Sequence, residues 1–238
     1  MEAARKLSGY QAIEGAPAIT RYGTLHKNGY RIEKFVYQSE PGMWIPAVLA
    51  IPGGGAAKRN AILYVDGSGK AAAAPKIESW MSQGTIVLAI DGRGFGELAP
   101  ESRSSEQWFG DSSNITAALL IGKTMVGMRA LDIVRGVELL AGRPDVDAGN
   151  IKGIGIGRAS VPLLYAAAFD PRIKSLELEG MLSSYQLIID SRIHRYAYEQ
   201  VLPGVIRRFD LPDLVKAIAP RTVSVRGSVD AMGISEIR

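Results

Sequence analysis

The amino-acid sequence predicts an α/β domain built on a mainly parallel sheet with helices on both faces. Three observations carry that prediction. Continuous apolar runs recur at Ala61 to Val65 and Thr85 to Ile90, as strands buried on both faces require. These runs alternate with helical patterns, which is the signature of βαβ units. Near the start, the strand-like stretches Tyr30 to Tyr37 and Trp44 to Ile51 flank the turn residues Ser39-Glu40-Pro41-Gly42. They read as an antiparallel hairpin feeding the parallel sheet.

The elements follow in chain order. Residues 1 to 27 are mixed and weakly periodic, so an N-terminal arm or linker is expected there, with one domain over 28–238. The opening Met1-Glu2-Ala3-Ala4-Arg5-Lys6 is polar with no apolar stretch behind it, and reads as no signal peptide. Pro52-Gly53-Gly54-Gly55 ends the second hairpin strand. Ala74 to Gln83 is a helix candidate closed by Gly84, the residue favoured just past a helix end. One long helical region is expected from Ile115 to Ala141, where Ala130, Val134, Val137 and Ala141 share a face. Then come a short strand at Ile151 to Ile154, an apolar helix at Ala159 to Phe169 and a strand at Leu176 to Leu178. Loop and helices fill 183–219, and Thr222 to Val225 is the last strand.

Bulk properties narrow the function. The chain has 238 residues, 47% hydrophobic and 22% charged, with a net charge of +4. That suffices for one domain with a sizeable core. Its Lys and Arg are scattered, with no basic run interleaved with aromatics, so no nucleic-acid partner is expected. No apolar run reaches the roughly 20 residues of a membrane span. There are no cysteines, which excludes disulfides and thiolate metal sites. Two separated histidines leave no metal constellation.

In such sheets function sits at the carboxyl ends of the strands. After Val65 comes Asp66-Gly67-Ser68-Gly69-Lys70, whose glycine-rich backbone at Gly67, Ser68 and Gly69 suits an oxyanion region. After Ile90 comes Asp91-Gly92-Arg93-Gly94-Phe95-Gly96, whose acid and base read as a structural pair. After Ile154 comes Gly155-Ile156-Gly157-Arg158-Ala159-Ser160. This is the place of the nucleophile elbow G-x-S-x-G. Glycine stands where the serine would be. Gly157 adopts the strained turn easily but has no side chain to form an acyl-enzyme. Ser160 reads as a packing or capping residue. After the last strand, Asp230 holds the place of the acid in the order Ser, Asp, His, and no histidine follows it. His26 and His194 both precede it.

Many short motifs in order carry a family resemblance. They include Gly29-Tyr30-Arg31-Ile32-Glu33-Lys34, Ile45-Pro46-Ala47, Val126-Gly127-Met128-Arg129, Arg143-Pro144-Asp145-Val146, Ala166-Ala167-Ala168-Phe169-Asp170-Pro171-Arg172-Ile173, Leu202-Pro203-Gly204-Val205 and Asp210-Leu211-Pro212-Asp213-Leu214. With these the chain resembles the acetyl xylan esterase-like α/β-hydrolases of bacteria over nearly its whole length from residue 28. The resemblance implies an α/β-hydrolase fold and deacetylation of plant polysaccharides by a Ser-His-Asp triad, in proteins that are often exported. It puts Gly157 at the nucleophile, Asp230 at the acid and residues 66–70 at the oxyanion region. It also implies a module like the degenerate second half of tandem members, or a truncated relative lacking the last strand and helix.

Three functions follow as expectations. One is a non-catalytic module that binds polysaccharide or acetylated sugar, or partners an active esterase domain. One is an active ester hydrolase with a relocated nucleophile, Ser183 or Ser184 with His194. One is a dinucleotide-binding protein, because Gly155-Ile156-Gly157-Arg158-Ala159-Ser160 resembles G-x-G-x-x-G/A and Glu177 lies about twenty residues on; beyond this reading no cofactor is expected. The strand at Thr222 to Val225 would be an open sheet edge, which invites pairing with a second chain. We predict association through that edge or a neighbouring apolar surface; light scattering at micromolar concentration checks it, a mass above that of one chain being expected.

Overall fold

The structure, a computed structural model, describes residues 1–54, 58–100, 108 and 112–235. Eight strands form one sheet: β1 (Ile19–Lys27), β2 (Tyr30–Glu40), β3 (Met43–Pro52), β4 (Arg59–Asp66), β5 (Ile86–Ile90), β6 (Val146–Ile156), β7 (Ile173–Glu179) and β8 (Thr222–Arg226). Their order is β1-β2-β3-β5-β4-β6-β7-β8. The strands β5-β4-β6-β7-β8 are parallel, and β1-β2-β3 join β5 antiparallel. The expected hairpin is therefore the β2–β3 pair, in register from Tyr30↔Pro52 to Glu40↔Met43.

Among the described residues seven helices accompany this sheet: α1 (Glu2–Ser8), α2 (Ala74–Ser82), α3 (Ser112–Leu120), α4 (Met125–Ala141), α5 (Ser160–Phe169), α6 (Gln186–Asp190) and α7 (Leu211–Ala217). One face of the sheet meets α4, α5 and α7 in the main core, where Leu63, Leu88, Ile133, Leu163 and Leu178 are buried. The other face meets α2 through Ile62, Tyr64, Ile77, Met81 and Val87. Every residue of β5 is buried, because it lies mid-sheet under helices on both sides.

The structure differs from the sequence reading in several places. The first 27 residues, expected as an arm or linker, carry α1 and β1. All nine residues of β1 are exposed, so no inward face marks it in the sequence. The helical region at 115–141 is two helices. Gly122 at φ 73° ends the first, and Thr124 caps the second by accepting from the Gly127 N–H. The short strand at Ile151 begins earlier, at Val146. Gly55, the last residue of the expected turn, lies outside the described residues.

Helix α1 reaches α4 by a backbone contact. The Thr124 hydroxyl donates to the Ser8 carbonyl at 2.8 Å. A Cβ on Gly127 would sit 2.1 Å from that same oxygen. Gly127→Ala must push α1 away, and we predict a loss of about 1–3 kcal/mol, the usual range for overpacking. Urea unfolding checks it, with a lower midpoint expected.

Candidate active site

The chain beyond the carboxyl ends of β6, β7 and β8 forms a cleft of about 320 Å³ lined in part by Gly157, Gly180, Arg195, Tyr196, Gln200 and Asp230. The elbow forms its floor. Chain leaves β6 at Ile156 and turns through Gly157 at φ 58° into a short 3-10 turn and then α5. This left-handed conformation favours glycine. A Cβ built at Gly157 would meet nothing within 4 Å, so the position faces open space. Glycines hold the helix close. A Cβ at Gly153 would lie 2.9 Å from Leu163, and one at Gly155 would lie 3.0 Å from both Leu163 and the Ser160 Cα. Ser160 is fully buried, and its hydroxyl donates to the carbonyls of Gly155 at 2.8 Å and Glu179 at 3.1 Å. It packs and cross-links, as expected.

The loop after β4 lies beside the elbow, but its N–H groups are committed. Gly67 N–H donates to the Ile156 carbonyl at 3.1 Å, and Gly69 N–H to the Asp66 carbonyl at 2.9 Å. Ser68 N–H goes to the Asp66 carboxylate at 2.7 Å, and Lys70 N–H to the Asp91 carboxylate at 2.5 Å. The expected oxyanion donors at Gly67, Ser68 and Gly69 thus all have partners inside the protein. Asp66 is fixed in turn by the Tyr64 hydroxyl at 2.7 Å. The same loop also borders a larger groove of about 1010 Å³ between α2 and the outer strands, lined by Tyr22, Leu25, Ile32 and Lys70 among others.

Asp230 and Gly157 both line the cleft. Its Oδ1 accepts from the N–H groups of Met232 at 2.8 Å and Ile234 at 2.9 Å. The relocated candidates are elsewhere. Ser184 donates to the Asp210 carboxylate, which caps α7. Ser183 N–H donates to the Val229 carbonyl at 3.1 Å. Neither serine lines the cleft, nor does His194, whose ring lies edge-on to Tyr198 at 5.3 Å. His26 is exposed on β1. Glu177 is engaged by Lys152 at 2.6 Å and Arg226 at 3.7 Å. The hydrogen bond from Lys152, against modest burial, holds its carboxyl below the usual range.

Beneath the cleft lies a cluster that the sequence reading missed. Glu199, 2% exposed, accepts from Arg129 at 2.7 Å and from Arg158 at 2.5 Å. Arg129 is itself 1% exposed and covers the Phe95 ring at 4.1 Å. Arg158 lies 4.3 Å over the Tyr196 ring. Burial alone would raise the Glu199 carboxyl; the two guanidinium groups outweigh it and hold it below the usual range. Nothing local in the sequence joins residues 129, 158 and 199. The Asp91-to-Gly96 loop also differs in detail. Its acid and base are structural, but not with each other: Asp91 pairs with Lys70 at 2.7 Å and Arg93 with Asp132 at 2.6 Å.

Glu199 generates a prediction. Breaking a buried pair by removing one partner costs about 3–5 kcal/mol. Glu199→Gln should lower stability by that order in urea unfolding at pH 7. The folded value of Glu199 lies below its unfolded value, so its contribution is complete above the ordinary carboxylate range. It is lost as pH falls through the lowered value, and the gap between variant and wild type should close there.

Comparison with known proteins agrees with this architecture. The sequence profile of the Abhydrolase family matches residues 2–232. The Bacillus subtilis (strain 168) protein named "Putative hydrolase YtaP" is 29% identical over 141 residues, 59% of this chain and 44% of its own. A Bacteroides fragilis NCTC 9343 structure described as a "putative acetyl xylan esterase" superposes with a TM-score of 0.76 at 18% identity, over 95% of this chain and 66% of that one. A glucuronoyl esterase from Solibacter usitatus gives a TM-score of 0.64 at 13% identity, over 91% of this chain and 69% of that one. The chain thus spans less than half of YtaP and about two thirds of the Bacteroides protein. It has the α/β-hydrolase fold of the acetyl xylan esterase-like proteins, and it belongs to the Abhydrolase family.

Proposed function

We propose that this chain is an α/β-hydrolase-fold domain, related to carbohydrate esterases, that binds in its cleft and does not carry out covalent ester hydrolysis. Gly157 carries the reading. It occupies the elbow in the strained backbone a nucleophile would use, with open space above it and no hydroxyl to acylate. Two further observations support it. The loop N–H groups that would polarise a carbonyl already have acceptors, and a missing oxyanion donor alone typically lowers kcat by about 10²–10³. Neither histidine lines the cleft, so no imidazole is there to act as general base. The structural neighbours named as acetyl xylan and glucuronoyl esterases suggest polysaccharide or acetylated sugar as the ligand class.

Hydrolysis of p-nitrophenyl acetate and of acetylated xylan tests this directly. The purified chain should turn over neither above a buffer blank, and a Ser183→Ala/Ser184→Ala double variant should behave identically. Turnover by wild type that vanishes in the double variant would establish the relocated nucleophile and overturn the proposal.

A further inference from the structure

A second pocket lies at the other end of the sheet from the cleft. It has a volume of about 320 Å³ and sits where β1, β2 and β3 pass the C-terminal end of α4, bordered by Arg143 and Pro144 just before β6 begins. The cleft beside Gly157 lies past the far end of that strand, so the two sites are separate. The floor of the pocket is the main core itself: Phe35, Leu49, Leu88 and Leu140 line it, and none is more than 7% exposed. Ala16 and Pro17 form one wall. That wall is fastened close by, because the Arg135 guanidinium donates to the carbonyls of Ile13 at 3.1 Å and Gly15 at 2.6 Å. An apolar, preformed hollow of this kind is the usual shape of a small-molecule site.

Its charges are unequal in what they are free to do. Glu33, Glu138, Arg143 and Arg21 line the pocket. Glu33 is engaged by Arg31 at 3.1 Å, Arg143 by Asp145 at 2.7 Å, and Glu138 by Arg135 and by Arg172 at 3.4 Å. Arg21 makes no ion pair among the described residues, and it is exposed at the mouth. Strand β1 aims it there by a bulge. Arg21 pairs with Phe35 and Gly23 with Lys34, which leaves Tyr22 as an extra residue. Along a regular strand residues 19, 21 and 25 would share a face. The bulge reverses the alternation: Ile19 and Arg21 line this pocket, while Leu25 lines the groove beside α2. Bulges re-aim side chains in this way and are over-represented next to functional sites.

We propose that this pocket binds a small amphiphilic anion, a short apolar chain or single ring carrying one negative head group. The apolar body lies on Phe35, Leu49 and Leu140, and the head group meets Arg21. The site is independent of the cleft and of the reading of Gly157. The floor decides the body of the ligand: its side chains offer no polar group, so a sugar would lose the water on its hydroxyls there without replacement. Arg21 decides the sign of the head, because the two carboxylates at the pocket already face cations and this guanidinium does not. A guanidinium takes a carboxylate or a sulfate through charge-assisted hydrogen bonds. The volume, about 320 Å³, is at the small end of ligand pockets, which limits the body to a short one.

Calorimetric titration of the whole chain with sodium octanoate, 1-octanol, octylammonium chloride and sodium acetate tests the assignment. Octanoate should bind at least about tenfold more tightly than octanol or octylammonium, the scale of one charge-assisted hydrogen bond. Acetate, which has the head group without the body, should not bind at the same concentrations. Arg21→Gln should abolish the preference of octanoate over octanol with an unchanged melting temperature, because Arg21 is exposed. Arg21→Glu should reverse the preference, so that octylammonium binds more tightly than octanoate. Octyl sulfate titrated beside octanoate ranks the two head groups. No binding of octanoate, equal affinity for octanoate and octanol, binding of acetate as tight as that of octanoate, or an Arg21→Gln chain with the wild-type preference would each overturn the proposal. If one Arg21 variant fails to fold, the other and the wild-type ligand series decide.

Discussion

Glu199 sits where three parts of the chain meet: helix α4 through Arg129, the elbow through Arg158, and the long excursion after β7 that carries Glu199 itself. A carboxylate 2% exposed can remain ionised only because both guanidinium groups face it. The aromatic rings of Phe95 and Tyr196 pack against the arginines. The cleft wall therefore does not hang on a loop alone. It is tied to the body of the domain by charge placed in low dielectric, where each partner would be costly without the others.

Around this tie, the domain uses small residues for approach and acids for turns. Gly153 and Gly155 let α5 lie directly on β6, and Ser160 fastens the start of α5 to the ends of two adjacent strands. Asp66 and Asp91 each fold a loop back on itself by accepting from backbone N–H groups. These loops border the larger groove beside α2, so their rigidity sets its shape. They reach that rigidity by engaging their own backbone N–H groups.

Much of this was readable in the residues. Burial on both faces made Ala61–Val65 and Thr85–Ile90 evident as strands, and turn residues gave the β2–β3 hairpin. The elbow was visible because Gly155, Gly157 and Ser160 fall between an apolar strand and an apolar helix. Strand β1 was not, because all its residues face solvent and hydrophobic alternation has nothing to report. The break at Gly122 was hidden by apolar residues on both sides, although Thr124 is a capping signal. The Glu199 cluster joins positions 70 and 41 residues apart, and no local pattern encodes such a contact. The bonding of Gly67 to Lys70 was invisible for a related reason: a glycine-rich loop has the same composition whether its N–H groups point outward or inward.

The asymmetry between the elbow and its neighbouring loop bears on how the site could be altered. A hydroxyl at position 157 would meet no neighbouring atom, so a nucleophile could be supplied by one substitution with no repacking of the core, at the cost of backbone strain at φ 58°. The donors are different. Freeing the N–H groups of Ser68 and Lys70 means dismantling turns organised by Asp66 and Asp91, and the latter also anchors Lys70 and the Glu97 backbone. The hydrogen bonding of these turns is thus distributed over two loops and out of reach of any single side chain.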